Sequence, residues 1–127
     1  MLFSSYEAVQ KYLGKKGSRP YPIGKPRNTR IIETYHGIAI RYCQTSVVMY
    51  QLDGIVLNTN GWYTVTTKRR INDAVAGNLF QSKYVWYYHD PIRKTVFKFF
   101  DGMKVDYEGR VLNPPQIYLD IFKGQLV

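Results

Sequence analysis

The chain lacks several features that define common protein classes. Its 127 residues contain one cysteine, Cys43, which excludes an intrachain disulfide and a metal site built from several cysteines. No apolar run approaches the roughly 20 residues of a membrane-spanning helix. The first residues also lack the basic start and apolar stretch of a signal peptide. We therefore expect one intracellular domain spanning residues 1–127, with no membrane partner.

Residues of catalytic type are equally scarce. His36 and His89 are the two histidines, and neither lies in a nucleophile or metal-binding motif. The sequence has no phosphate-binding loop, no glycine-rich dinucleotide fingerprint and no paired-carboxylate signature. These absences predict a protein that is not an enzyme and that uses neither a cofactor nor a metal.

Acidic residues are few, so the chain is strongly basic. It has 18 lysines and arginines against nine aspartates and glutamates, for a net charge of +9. Residues 1–30 hold seven of the bases and one of the acids, so most of the excess charge lies in the first quarter of the chain. This distribution favours an acidic partner, with nucleic acid first and an acidic protein surface second.

The first 30 residues divide into a helix and an arm. Ser4 and Glu7 form a capping box, which predicts a helix that Gly14 closes. Residues 14–28 then alternate glycine and proline with basic residues, and they predict an irregular arm able to follow a phosphate backbone. The candidate phosphate-binding residues of this segment are Lys15, Lys16, Arg19, Lys25, Arg27 and Arg30.

Alternating apolar residues predict a first group of strands. The period-two pattern extends over residues 30–58. His36-Gly37 and Asp53-Gly54 separate β-favouring runs and are typical of hairpin turns. This segment therefore predicts an antiparallel meander of about four strands.

A second antiparallel group follows the central helix described below. Residues 83–88 and 95–107 are predicted as strands, with Asp101-Gly102 as a turn in the second range. Residues 117–122 fit a helix or a strand, and we favour a helix that starts at Asn113-Pro114-Pro115. The predicted fold is α+β: an antiparallel meander with a short central helix, a second antiparallel strand group and an N-terminal helix.

The block Gly61–Asn72 joins the two groups and predicts the central helix. Its N-cap is predicted at Thr66 or Thr67. A left-handed stop is predicted at Gly77 or Asn78. The apolar stripe of this helix, at a period of about 3.6 residues, consists of Ile71, Ala74, Val75 and Leu79.

Three bases, Lys68, Arg69 and Arg70, fall in the first turn of that predicted helix. Cations in a first turn oppose the helix dipole by about 0.3–1 kcal/mol each. Together with free N–H groups and the hydroxyls of Thr66 and Thr67, they predict an anion site; the alternative is a set of solvated charges on a surface helix. Because these bases lie off the apolar stripe, we expect the removal of Arg69 and Arg70 to leave folding intact.

Aromatic residues make up 16% of the chain. Proteins that bind single-stranded nucleic acid combine such rings with a positively charged groove. In the predicted strand, Tyr84, Trp86 and Tyr88 share one face, which we expect to be buried, and we expect Trp62 to be buried as well. The rings predicted to be available for stacking on bases are Tyr63 and Tyr87.

The block Gly61–Asn72 has the pattern Gly-Trp-x-Thr-x-Thr-Thr-Lys-x-Arg-x-Asn. With weaker matches from Asn28 onward, including Asp53-Gly54, it resembles a family of small, mostly uncharacterised proteins of tailed bacteriophages. The resemblance implies a phage origin and hence action in the cytoplasm of an infected bacterial host. It implies no particular activity.

Charge, aromatic content and resemblance together predict a phage-encoded, non-catalytic nucleic-acid-binding protein. Single strands of DNA or RNA are favoured over duplex, because stacking on exposed rings needs accessible bases. The alternative is a phage protein that binds and inhibits an acidic host protein or a defence complex, since a surface rich in tyrosine and arginine also suits a protein interface.

Overall fold

Two helices and two antiparallel sheets make up the described part of the chain, which in this computed structural model comprises residues 2–16, 21–22, 28–115, 119–120 and 125–126. The predicted α+β fold is confirmed. Among the described residues, no helix is long and apolar enough to cross a membrane. The helices are α1 (Tyr6–Lys16) and α2 (Val65–Asn72). The strands are β1 (Tyr21–Pro22), β2 (Thr29–Thr34), β3 (Gly37–Tyr42), β4 (Thr45–Gln51), β5 (Gly54–Leu57), β6 (Asn78–Ser82), β7 (Val85–Asp90), β8 (Thr95–Lys98), β9 (Met103–Val105), β10 (Leu119–Asp120) and β11 (Gln125–Leu126).

The strands are distributed between the two sheets, and the last strand of the large sheet comes from the second half of the chain. The large sheet has the strand order β1-β2-β3-β4-β5-β9, and the small sheet has the order β11-β10-β8-β7-β6. As predicted, β2 to β5 form an antiparallel meander and a second antiparallel group includes β7 and β8. β9 pairs with β5 instead of β8, so the consecutive strands β8 and β9 lie in different sheets.

One hydrophobic cluster is shared by both sheets and both helices. In the large sheet, Ile31 is paired with Ile40, and Ile40 with Val48, so these buried residues form a row across three strands. Trp86 and Tyr88 contribute from alternate positions of β7 and are 6% and 0% exposed. The predicted burial of this face of the strand is confirmed for Trp86 and Tyr88.

α1 begins one residue later than predicted and extends further. The Oγ of Ser5 accepts the N–H of Ala8 at 3.2 Å, so Ser5 is the N-cap and the prediction of Ser4 is wrong. Gly14 does not close the helix but lies inside it, since the helix ends at Lys16. Glycine is tolerated at this point at a cost in helix propensity.

The hairpins of the large sheet are present, but each turn lies one residue earlier than predicted. Gln51 pairs with Gly54, so the turn residues are Leu52-Asp53; the preceding hairpin turns at Tyr35-His36. A Cβ atom on Gly54 would lie 2.7 Å from the carbonyl oxygen of Val105 in β9. Close packing of two backbones, rather than a left-handed turn, therefore accounts for this glycine.

The predicted turn at Asp101-Gly102 connects the two sheets. The N–H of Met103 donates to the carbonyl oxygen of Phe100 at 3.1 Å, and Gly102 has a φ of +94°. Such a turn needs glycine at its third position. Asp101 is consequently placed between the small sheet and the large sheet.

α2 is shorter than predicted and leads into a strand that the sequence analysis missed. The helix ends at Asn72, so Ala74 and Val75 lie beyond it and Leu79 lies in β6. All the predicted stripe residues are buried, but they do not belong to one helix. The Asn72 side chain donates to the Leu79 carbonyl at 2.8 Å and accepts its N–H at 2.7 Å, which joins the helix end to the strand.

Gly77 and Asn78 do not provide the predicted left-handed stop, because neither has a positive φ. A Cβ atom on Gly77 would collide with the hydroxyl of Tyr88. Glycine is needed there for this close approach.

The C-terminal helix favoured from the sequence is wrong at Leu119–Asp120. These residues form β10, with Leu119 in register with Val96 of β8. Residues 116–118 and 121–124 lie outside the described part of the chain.

Candidate nucleic-acid interface

The loop between β5 and α2 presents two adjacent aromatic side chains to solvent. Trp62 is 64% exposed and Tyr63 is 54% exposed. Before them, Asn60 and Gly61 have positive φ angles of 52° and 82°, which turn the chain away from the core. The predicted burial of Trp62 is therefore wrong, whereas Tyr63 lies outside the core as predicted.

A buried threonine anchors this loop. Thr59 is 0% exposed, and its N–H and Oγ1 donate to the two carboxylate oxygens of Asp101, at 2.7 and 3.0 Å. The same Oγ1 accepts the N–H of Gly61 at 3.1 Å, and the Thr59 carbonyl accepts the N–H of Trp62 at 3.0 Å. Asp101 therefore positions the loop that carries both exposed rings.

α2 has its N-cap at Thr64, so the predictions of Thr66 and Thr67 are wrong. The Thr64 backbone is extended, and its Oγ1 accepts the N–H of Thr67 at 3.1 Å, as an N-cap does. Thr67 is 1% exposed and faces inward from the first turn. Several threonines in this block are chemically able to cap a helix, and packing selects Thr64.

The earlier start of α2 changes the position of the three bases. The N–H of Lys68 makes a helical bond to the Thr64 carbonyl at 3.0 Å, and Arg69 and Arg70 lie in the last turn. Cations at a helix C-terminus are favourable, so the predicted dipole conflict is wrong. Arg69 and Arg70 therefore do not lie beside the first-turn N–H groups, as the predicted anion site requires. Anion binding through the basic side chains themselves stays a prediction.

Arg70 makes a contact that the sequence analysis did not foresee. Its Nε donates to the Oγ1 of Thr29 at 2.9 Å, and Thr29 is 0% exposed. The threonine hydroxyl donates in turn to the Oδ1 of Asn28 at 3.1 Å, whose carbonyl accepts the N–H of Cys43 at 2.8 Å. Arg70 thus ties α2 to the large sheet, a bond that the expectation of intact folding without Arg70 did not include.

Tyr63 lines a surface groove of about 240 Å³, which we name the Tyr84 groove. Tyr63 contacts Trp86 edge-to-face, with ring centroids 4.9 Å apart, so the buried ring supports the exposed one. The Nζ of Lys68 lies 6.0 Å from the centroid of the Trp86 ring, within cation–π range. The residues lining the groove are Tyr63, Tyr84, Val85, Trp86, Lys98 and Phe99.

Tyr84 projects from the turn between β6 and β7. Lys83 and Tyr84 have positive φ angles of 50° and 67°, as in a two-residue hairpin turn, and Tyr84 is 93% exposed. The prediction that Tyr84 lies on the buried face of a strand is therefore wrong. Glycine, asparagine and aspartate normally mark such a turn, and none of them occurs here.

Tyr87 lies on the outer face of the small sheet, opposite to the buried face. Its ring stacks on Phe80 of β6, with centroids 5.8 Å apart and an interplanar angle of 30°. Tyr87 is in register with Lys98 of β8, an exposed residue that also lines the Tyr84 groove. Rings and cations therefore continue from the groove onto the outer face of the sheet.

Trp62 lines a second cavity, of about 350 Å³, which we name the Trp62 cavity. Its walls come from the loop before α2, the first turn of α2 and the turn between β3 and β4. The adjacent rings of Trp62 and Tyr63 therefore serve different cavities. The residues lining the Trp62 cavity are Tyr42, Cys43, Gln44, Thr45, Trp62, Thr64 and Thr67.

The basic arm predicted at residues 14–28 is described only in part. Its first residues belong to α1, and Tyr21–Pro22 pairs with β2. Arg30 is an exposed residue of β2, directly opposite Arg41 of β3. The candidate residues Arg19, Lys25 and Arg27 lie outside the described residues, as do the side chains of Lys15 and Lys16. Phosphate binding by the arm stays a prediction.

Three tyrosines with raised pKa values belong to the packed interior, whereas a hydrogen bond from Lys104 lowers the pKa of the exposed Asp53. Burial raises the pKa of Tyr50, Tyr88 and Tyr107 above the ordinary value for tyrosine. The Tyr88 hydroxyl donates to the Gly109 carbonyl at 2.7 Å, which is a packing role. In the described ranges, no cluster of three or more His, Cys, Asp or Glu is placed to hold a metal ion.

No protein-family model, no curated protein and no solved structure matches this chain. Its function must therefore be inferred from the chemistry of the loop before α2, the Tyr84 groove and the Trp62 cavity.

Proposed function

We propose that the protein is a phage-encoded, non-catalytic binder of single-stranded nucleic acid, and that the strand lies along the Tyr84 groove. One observation carries the proposal: two exposed aromatic residues, Tyr63 and Tyr84, and the basic residue Lys98 line the same groove. Rings beside a cation are the combination with which single-strand binders hold bases and phosphates together.

The rings favour a single strand over a duplex. Each base stacked on an aromatic side chain contributes about 1–3 kcal/mol, but the bases of a duplex are already stacked on one another. Tyr84 is 93% exposed and Tyr63 rests on Trp86, so both rings are available without disturbing the core. The outer-face pair of Phe80 and Tyr87 extends this surface.

The basic residue that lines the groove, Lys98, is available for phosphate. Within the described ranges the ion pairs are Arg93 with Asp90 and Lys104 with Asp53, so no described carboxylate neutralises Lys98. Each phosphate contact releases counterions and therefore makes binding weaker as salt increases. The net charge of +9 adds a long-range attraction for the strand.

The test compares two double variants, each of which loses one tyrosine ring and one lysine charge, but at different places on the protein. Tyr84→Ala/Lys98→Ala removes a ring and a charge from the groove. Tyr35→Ala/Lys94→Ala removes a ring that is 96% exposed and a charge from turns elsewhere on the sheets, so net charge is matched. We expect the groove variant to bind a labelled single-stranded oligonucleotide about tenfold or more weakly by fluorescence anisotropy, since one stacked ring and one phosphate contact are lost.

The control variant should bind as the wild type does, and a duplex of the same sequence should bind more weakly than the single strand. Equal losses in both variants would show that binding does not depend on where the ring and the charge lie, and would overturn the groove. If the wild type binds no oligonucleotide, the proposal fails. In that case, an affinity pulldown from host lysate that retains one stoichiometric host protein after nuclease treatment would favour the host-inhibitor alternative.

A further inference from the structure

We infer that the Trp62 cavity receives one nucleobase of the bound strand and that Arg70 binds a phosphate beside it. This inference rests on the proposed function and adds to it a site for an individual base, on the other ring of the loop before α2.

The cavity has the size and lining that a base requires. Its volume of about 350 Å³ falls within the range of small-molecule pockets, about 300–1,000 Å³. The rings of Trp62 and Tyr42 offer apolar faces for a flat heteroaromatic group. The Gln44 amide has both a donor and an acceptor, which suits the hydrogen-bonding edge of a base.

The polar wall of the cavity is held in place by the backbone. Cys43 has a φ of 53°, and its N–H donates to the Asn28 carbonyl at 2.8 Å. This bond fixes the turn between β3 and β4 that carries Gln44. A fixed turn lowers the entropy cost of ordering the amide on a ligand.

Arg70 supplies a positive group that is linked to a wall residue of the cavity through Thr29. Its Nε is bound to the Oγ1 of Thr29, and Thr29 is in register with Tyr42, a wall of the cavity. Among the described residues, the terminal Nη atoms of Arg70 have no hydrogen-bond or ion-pair partner. The bond through Nε therefore orients the guanidinium and leaves its other donors for a phosphate.

Charge and shape together identify the occupant. A base lies flat against a ring, and its phosphate follows within the same nucleotide, so a cavity with rings and a neighbouring cation matches one nucleotide unit. A protein side chain would fill the ring-lined space but would leave the oriented guanidinium without an anion. The strand would then pass from the Tyr84 groove over Tyr63 and Trp62, which are consecutive residues.

Cys43 is the only cysteine of the chain, is exposed and lines the cavity, so its alkylation reports occupancy. The experiment measures the rate of Cys43 alkylation by iodoacetamide with mass spectrometry, and strand binding by anisotropy in the same samples. The probes are a single-stranded DNA of mixed sequence and an abasic strand of equal length. At about ten times the Kd of the DNA, alkylation should slow about tenfold, because the rate follows the unoccupied fraction.

The abasic strand lacks base stacking and is therefore used at about ten times its own Kd; bound to this extent, it should leave Cys43 near its free rate. Gln44→Ala should bind DNA with a weaker slowing of alkylation. Equal protection by both strands would show that the backbone merely covers the turn, which overturns base entry. Binding of DNA without protection of Cys43 also overturns the inference but leaves the proposed function intact. Absence of any binding by anisotropy overturns both, so the two failures are distinguishable.

Discussion

Arg70 of the central helix donates its Nε–H to the buried hydroxyl of Thr29, 2.9 Å away in β2. Arg69, its neighbour in sequence, is exposed. Two adjacent arginines of one basic run therefore differ in role: Arg70 joins the helix to the large sheet, whereas Arg69 faces solvent.

Arg70→Ala should lower the free energy of unfolding by about 1–2 kcal/mol, since a hydrogen bond to a charged group contributes about 1.5–3 kcal/mol and Arg70 is half-buried. Urea unfolding followed by circular dichroism measures this change. Arg69→Ala is the matched control, with an expected change within about 0.5 kcal/mol as for an ordinary surface position. Equal stability of the two variants would show that the bond to Thr29 contributes nothing.

Gly14→Ala should raise the free energy of unfolding by about 0.5–1 kcal/mol, because alanine has the higher helix propensity and Gly14 lies inside α1. An added Cβ meets no atom within 4 Å. Thermal unfolding gives the sign of the change. A left-handed glycine that closed the helix at this position would instead make the alanine variant less stable.

Gly77→Ala should have the opposite effect and lower the free energy of unfolding by at least about 1 kcal/mol, as overpacking does. The reason is the collision of the new methyl group with the Tyr88 hydroxyl. Unchanged stability in the same thermal assay would contradict the close approach of Tyr88 to this glycine.

The sequence patterns are local, so they predict the presence of helices and strands better than the residues at which these begin and end. The meander and the α+β class follow from period-two alternation, which burial of one sheet face imposes. Thr64, Thr66 and Thr67 are equivalent as caps by chemistry, so only the packing of Thr67 decides among them. β6 was missed because its turn, Lys83-Tyr84, carries no turn residue.

Only some of the aromatic residues of the candidate site were predictable from the sequence, and the direction of their side chains was not. The sequence pattern predicts Tyr63 and Tyr87 as available rings, and both lie outside the core. It misplaced Trp62 and Tyr84, because the direction of a loop side chain depends on distant anchors. For Trp62 that anchor is Asp101, 39 positions later in the chain.

Alkaline pH should unfold the protein. Burial raises the folded-state pKa of Tyr50, Tyr88 and Tyr107, whereas in the unfolded chain the pKa is about 10. Each group therefore contributes stability that is fully present below about pH 10 and is lost as pH rises above it. Exposed tyrosines such as Tyr35 and Tyr84 ionise without unfolding, so the last part of the rise in tyrosinate absorbance, from the buried tyrosines, should coincide with the loss of far-ultraviolet circular dichroism. Full ionisation of every tyrosine in a chain that stays folded would contradict this.

Asp101→Ala should weaken binding of single-stranded DNA, although it removes a negative charge. The carboxylate anchors Thr59 and hence the loop of Trp62 and Tyr63, and a looser loop pays more conformational entropy on binding. Electrostatics alone predicts tighter binding. Fluorescence-anisotropy titrations with single-stranded DNA show whether the affinity falls or rises.

Glu33→Ala is the control for Asp101→Ala, because it makes the same change in net charge at an exposed residue of β2. It should bind DNA as well as or slightly better than the wild type. Tighter binding by both variants would show that Asp101 does not position the loop for DNA binding.

Photo-crosslinking locates the strand most directly. A single-stranded DNA carrying 5-iodouracil forms adducts with aromatic residues that its bases contact. Trypsin then separates the relevant tyrosines: Tyr63 lies in the peptide of residues 42–68, Tyr84 in that of residues 84–93, and Tyr35 in that of residues 31–41. The groove predicts adducts on the first two peptides and none on the third, although Tyr35 is 96% exposed. Adducts on the Tyr35 peptide at comparable yield, or none on the peptides of Tyr63 and Tyr84, would contradict binding along the Tyr84 groove.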